Sequence, residues 1–289
     1  MAVLARGNDS VHALQQALGG TPPRAGVDRS KALIRRYVQQ RSVERRTALR
    51  QAAAVTRPLQ EKILASAGRV DAKQQVLKEK RFLEQKLRRK ISAPKRMKLE
   101  PRMISGSSFW FKTPPYDAAF NQGNFSAADA TGGDYQLGIG SIGNGTNDAS
   151  AGVAVWFLAT NDDPQQRFSA LLQYSDDWWD VAMGYVAHND LRTRLWVWGP
   201  TEQQWLVQAE VNPSWSDGAS WFDHHGNDPQ GDAGTISVET TFPATAGNFY
   251  LGWIWSEANV YADGGFFGVA GSSLQLSVTA PLVVFGSLF

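Results

Sequence analysis

The sequence predicts an α+β chain in two segregated parts: a basic N-terminal helical hairpin or coiled-coil segment, then an antiparallel all-β sandwich of jelly-roll type. Three observations predict it: a charge split, an aromatic split and a change of hydrophobic period near residue 105. Residues 1–104 carry 25 of the 29 Lys and Arg but 8 of the 27 Asp and Glu, a net +17, while 105–289 carry the other 4 and 19, a net −15. Of 32 Phe, Trp and Tyr, only Tyr37 and Phe82 precede residue 105, and all 11 Trp follow it. The expected division is a basic helical segment over 1–90, a linker over 91–105 and an acidic, Trp-rich sandwich over 106–289.

The basic part has helix-forming composition. Between residues 31 and 91 only Pro58 and Gly68 interrupt a run of Ala, Leu, Gln, Arg, Lys and Glu. Asp28 is the expected N-cap after the Pro22-Pro23 and Gly26 breakers. Ile34, Val38, Ala48, Ala52 and Val55 form one narrow stripe, interrupted by Arg41 and Arg45. Ile63, Ala67, Val70, Leu77, Leu83, Leu87 and Ile91 form a second, and Pro58 predicts a kink or turn between rods of about 40 and 50 Å.

Neither stripe can bury a self-sufficient core, so the helices need a partner: each other, a second copy, or a different molecule. The expectation is therefore a homo-oligomer or larger assembly. Arg35, Arg36, Arg45, Arg46, Arg88, Arg89 and Lys90 are the candidate anion-binding residues. Their partner would be nucleic acid, an anionic membrane surface or an acidic protein surface, the chain's own second part included; otherwise they form a solvated face. The stretch from 91 to 103 has two prolines and no periodicity, which marks the linker.

Past residue 105 the period becomes that of strands. About ten β-branched and aromatic segments alternate with turn clusters such as PP at 114, TNDDPQQ at 160, HNDL at 188, GPTE at 199 and NPSWSDG at 212. No helix intervenes, which excludes an α/β sheet. The run Gly138-Ile139-Gly140-Ser141-Ile142-Gly143 fits a dinucleotide fingerprint, but a turn and another strand follow it where that chemistry needs a helix N-terminus. Nucleotide binding is set aside.

The tryptophans are the most unusual feature. Strand spacing puts Trp196 and Trp198 on one face and Leu195 and Val197 on the other, so either both faces are covered or one exposes indoles. Exposed indoles flanked by Asp, Asn and Gln suit sugar rings, and Trp178, Trp179, Trp215, Trp221 and Trp255 are the candidate aromatic surface for a glycan, with core packing as the alternative. Trp215 and Trp221 are the most exposed candidates, because a polar loop is expected to hold them.

No cofactor is expected unless the loop from 221 to 232 holds calcium or another hard cation. Asp223, His224, His225, Asp228 and Asp232 place five candidate ligands there, with Gly226 and Gly231 to let the chain fold round an ion; the alternative is a solvated hairpin tip. Enzyme signals are thin. Glu202, Glu210, Glu239 and Glu257 are scattered, Glu257 with Asp263 is the best acid candidate, and no G-x-S-x-G elbow exists. Zero cysteines exclude a thiol nucleophile and a disulfide framework. No transmembrane segment or signal peptide is visible, so the expected location is cytoplasmic or within an assembly.

The function expected is a non-enzymatic binding or structural protein, with the helical segment for assembly and the sandwich as a recognition surface for carbohydrate. A capsid-like nucleic-acid-associated shell protein with a basic arm, and a carbohydrate-active enzyme, are the alternatives.

Overall fold

A computed structural model describes residues 23–66, 81, 109–123, 126–182, 186–220, 223–226, 232–264 and 270–286. The expected linker and most of the second helical stripe lie outside them, as do Arg88, Arg89, Lys90, Trp221 and Asp228. Among the described residues, the elements are the helix α1, Arg24–Ser66, and twelve strands: β1 (Phe109–Lys112), β2 (Ala118–Gln122), β3 (Ser126–Asp129), β4 (Asp134–Ile142), β5 (Asn144–Leu158), β6 (Asp163–Ala182), β7 (Val186–Gly199), β8 (Gln204–Ser220), β9 (Asp223–Gly226), β10 (Asp232–Ala244), β11 (Phe249–Asp263) and β12 (Ala270–Gly286). One antiparallel sheet runs β10-β6-β12-β4-β3, with β1 added to β12 and β9 to β6; the other runs β2-β5-β11-β7-β8. An N-terminal helix and a two-sheet sandwich are thus the architecture the charge and period shifts predict.

The inner faces follow the two-residue period. Phe168, Ala170 and Leu172 of β6, Leu191, Leu195 and Val197 of β7, and Leu274, Leu276 and Val278 of β12 meet in one core between the sheets. Gly138 and Gly140 lie inside β4, and Gly143 turns the chain into β5 at φ +83°, so strand pairing and a one-residue bend account for the glycine run.

The outer face of the five-stranded sheet is apolar too, and α1 covers it. Trp156, Trp196, Trp198, Trp253 and Trp255 form a second cluster with Phe120, Leu251, Ile34 and Val38. Among the described side chains of the helix, Gly26, Ser30, Ile34, Val38 and Ser42 are buried, each four positions from the last, which is one stripe along its axis. A Cβ on Gly26 would stand 3.2 Å from the Trp156 ring, so glycine here lets the first turn approach the sheet. The Trp253 indole donates to Ser30 Oγ at 3.0 Å, and Tyr37 meets Trp196 edge-on at 5.0 Å.

Charge reinforces the docking. Arg45 reaches Asp190 at 2.6 Å and Glu257 at 3.1 Å, and Arg46 reaches Asp148 at 2.9 Å. Arg194 shares Glu257 at 3.1 Å and lies 5.1 Å from the Tyr37 ring and 5.0 Å from the Trp255 ring. The chain's own second part is therefore one acidic surface that the basic segment meets.

Several local expectations need correction. The helix begins at Arg24, so Asp28 is an exposed residue inside it rather than its cap, and Gly26 does not break it. Pro58 lies inside α1, which continues to Ser66. A helix interior can lose one donor when its neighbours are strong helix formers, so there is no turn at this point and Ile63 belongs to the first rod. Ala48 and Val55 are exposed: among the described residues, the buried stripe of the helix ends at Ser42. HNDL and NPSWSDG are not turns: they pair with each other, His188 opposite Gly218 and Asp190 opposite Ser216, as polar stretches of β7 and β8. Ladder hydrogen bonds override their turn propensity.

Candidate functional site

β6 runs on past the apolar core. After Phe168, Ala170 and Leu172, the same face presents Tyr174, Asp176 and Trp178, because side chains two apart share a face. Opposite it, β8 carries a bulge: Thr193 pairs with Val211 but Leu191 pairs with Trp215, so residues 212–214 are partly displaced from the ladder. Thr193 holds the bulge by donating through Oγ1 to the Pro213 carbonyl at 2.7 Å and through its backbone N–H to Ser214 Oγ at 2.9 Å. Beyond the bulge, Trp215 comes against Trp178, with ring centroids 4.9 Å apart and planes at 38°.

These residues line a cavity of about 440 Å³ at the sandwich edge between β8 and the β6–β10 pair. Its polar lining is acidic. Trp215 Nε1 donates to Asp176 Oδ2 at 3.3 Å, and Asp232 of β10 stands directly across from Asp176 in the strand register. Asp217 completes the wall, with the Ser216 hydroxyl beside it. The Tyr174 phenol is held above its ordinary pKa by burial first, then by the negative charge of Asp176 and Asp232.

The neighbouring strand β9 supplies a histidine. His225 Nδ1 lies 3.2 Å from Asp217 Oδ1 and its Nε2 lies 3.0 Å from Asp223 Oδ2. The hydrogen bond to Asp217 is the largest cause of a raised His225 pKa. Asp223–Gly226 is a strand paired to Trp179–Ala182, with His224 opposite Val181, so this part of the expected ion-binding loop is laddered backbone rather than a free hairpin tip. Among the described residues no group of three or more His, Asp or Glu has an arrangement that could hold a metal ion.

Of the five candidate tryptophans, Trp178 and Trp215 come together, partly buried, in the cavity. Trp179 is buried beside Gly226, where a Cβ would meet its ring at 2.8 Å. Trp255 has no exposed surface and lies beneath α1, so it faces the helix and not solvent. Glu257, the best acid candidate, is buried in the same interface between Arg45 and Arg194, and Asp263 accepts from the Tyr261 hydroxyl at 3.2 Å. Arg35 and Arg36 lie exposed on the helix, whereas Arg45 and Arg46 turn to the sandwich.

Sequence reasoning missed Tyr174, Asp176 and Asp217. The alternation in QYSDDWWD holds the signal for the first two, and it becomes visible once Asp163–Ala182 is taken as one unbroken strand.

No protein-family model and no curated protein matches the chain. Among solved structures, similar chains include TmCBM61 in complex with β-1,4-galactotriose, at 7% identity over 60% of this chain and 90% of that one, TM-score 0.22. A carbohydrate-binding module of the β-sandwich superfamily aligns at 10% identity over 60% of this chain and 56% of its own, TM-score 0.22. The C-terminal CBM6 of LamC from Zobellia galactanivorans aligns at 12% identity over 59% and 98%, TM-score 0.21. Likenesses this loose say nothing of what this chain binds.

Proposed function

We propose that this chain is a non-catalytic carbohydrate-binding protein whose ligand enters the cavity between β8 and the β6–β10 pair. The observation that carries the reading is the Trp178–Trp215 pair in a cavity of about 440 Å³, with carboxylates and a hydroxyl around the rings. Stacking on an indole suits the apolar face of a pyranose, acidic oxygens accept from its hydroxyls, and the volume falls within the usual range for small-ligand sites. Non-catalytic binding is favoured by the placement of the acids. Asp176 and Asp232 stand side by side on one sheet, Asp217 on the facing wall is engaged by His225, and Glu257 is held beneath the helix.

Calorimetric titration of the full chain with oligosaccharides tests the reading. Trp215→Ala should weaken binding by about tenfold or more, the scale of one aromatic contact and its buried area, while leaving the melting temperature close to that of the parent. Absence of binding to every neutral, acidic and amino-sugar oligomer would remove the proposal, and release of reducing ends would replace it with a hydrolase.

The outward face of α1 favours a second role in assembly. Arg35, Arg36, Arg41 and Arg50 lie exposed on the helix, Arg41 paired with Glu44, a basic surface suited to nucleic acid or to an acidic protein surface. Retention on a polyanion that falls with salt, and falls further in Arg35→Glu/Arg36→Glu, is the expected result. The mass of the full chain in solution, monomer or oligomer, decides whether the helix also joins copies.

A further inference from the structure

We infer that the cavity between β8 and the β6–β10 pair selects ligands carrying a protonated amine, and that its glycan is an amino sugar whose amine is free. The inference rests on the carbohydrate reading above and names the substrate class of the same site.

Three aromatic rings, those of Tyr174, Trp178 and Trp215, share this cavity with the carboxylates of Asp176, Asp217 and Asp232. Among the described residues, no Lys or Arg lines it. Aromatic faces carry the negative part of the ring quadrupole and attract ammonium groups, so rings and carboxylates here favour the same charge. An acidic sugar would meet the opposite, repulsion from the carboxylates that line the wall.

The register adds an independent observation. Asp232 and Asp176 are directly opposed on β10 and β6, so their side chains project to the same face. Like charges in that position destabilise a sheet pair. A cation between them relieves the repulsion, so a bound ammonium gains more here than at a solvated carboxylate. Tyr174 reports the same field, since Asp176 and Asp232 both act to keep its proton on. His225 lies behind Asp217 at 3.2 Å and, when protonated, offsets that residue in part; Asp176 and Asp232 face the cavity from the other sheet. On the β7 side, His188 Nε2 meets the Ser216 hydroxyl at 3.3 Å, and burial lowers its pKa, which keeps it neutral.

The test is titration of the full chain with β-1,4-linked glucosamine oligomers, their N-acetylated forms, glucose oligomers of the same linkage, and tetramethylammonium. The glucosamine oligomers should bind at least tenfold more tightly than the acetylated or glucose forms, and Asp232→Asn should remove most of that preference. Asp232 is exposed at the start of β10, so its substitution is compatible with folding, and the melting temperature checks this. Equal or tighter binding of glucose oligomers would overturn the amine assignment and leave the carbohydrate reading standing. Tetramethylammonium binding without any oligosaccharide would support the amine assignment and overturn the carbohydrate reading. Binding of none of the four would overturn both.

Discussion

Asp180 lies two residues beyond Trp178 on the inner face of β6, with no exposed surface. Burial pushes its carboxyl up to about 7, and the Ser272 hydroxyl and Asn189 amide only partly restore the charged form. An unfolded aspartate titrates near 3.9. Between about pH 4 and 7 the folded chain therefore holds a proton that the unfolded chain has released, and this group's contribution to stability declines as pH rises through that window. Melting temperature should fall from pH 5 to pH 8, and Asp180→Asn should flatten the fall; an equal fall in both proteins would remove the assignment. Nothing in the sequence singles out Asp180 among the 19 acidic residues after position 104. Its character comes from burial between two sheets, and burial depends on β6 running unbroken from Asp163 to Ala182. Asp217 was hidden for a related reason: its turn-like neighbours Asn212, Pro213 and Ser214 are a bulge within a strand.

At the scale of elements, α1 separates what periodicity shows from what it cannot. Ile34 and Val55 belong to one stripe by spacing, yet Ile34 is buried against the sheet and Val55 is 74% exposed. Ile34→Ala should cost about 2–4 kcal/mol, the range for a large-to-small change in a packed site, whereas Val55→Ala should stay within about 0.5 kcal/mol. Denaturant unfolding followed by tryptophan emission measures both. Similar costs at the two positions would mean that the distal half of the helix is packed as well. Arg45 is a further case, legible as an interruption of an apolar stripe and as one of seven candidate anion-binding residues, but not as the one that meets Asp190 and Glu257. Its removal leaves Asp190 and Glu257 buried with Arg192 and Arg194 as remaining partners. Arg45→Ala should therefore destabilise by about 1–3 kcal/mol, below the cost of a fully orphaned buried charge. The helix's existence was readable from composition, but its partner was not, because a stripe names a face and not what covers it.

The whole molecule answers part of the charge split within one chain, since Arg45 and Arg46 of the helix meet carboxylates of the sandwich. The sequence shows +17 against −15 and two apolar faces on one strand; docking of α1 on the five-stranded sheet answers the second and part of the first. Which force holds it there follows from exposure. The Arg46–Asp148 pair is open to solvent on the arginine side, at 46% exposure, while Arg45, Asp190 and Glu257 are 18%, 7% and 3% exposed. Salt at about 1 M shortens the Debye length from near 8 Å at physiological strength to roughly 3 Å, which screens the first pair and reaches the second far less. Exposed ion pairs contribute about 0 to 1 kcal/mol each, against roughly 1.5 to 3 for burying Ile34 or Val38. Docking should therefore survive high salt. Acrylamide quenching of the tryptophans in the full chain should be nearly the same at about 0.15 and 1 M salt, and Ile34→Asp should raise it at both, because a carboxylate cannot enter the indole cluster without a partner. Quenching that climbs with salt in the parent chain would show that charge pairing, and not the apolar stripe, keeps the helix on the sheet.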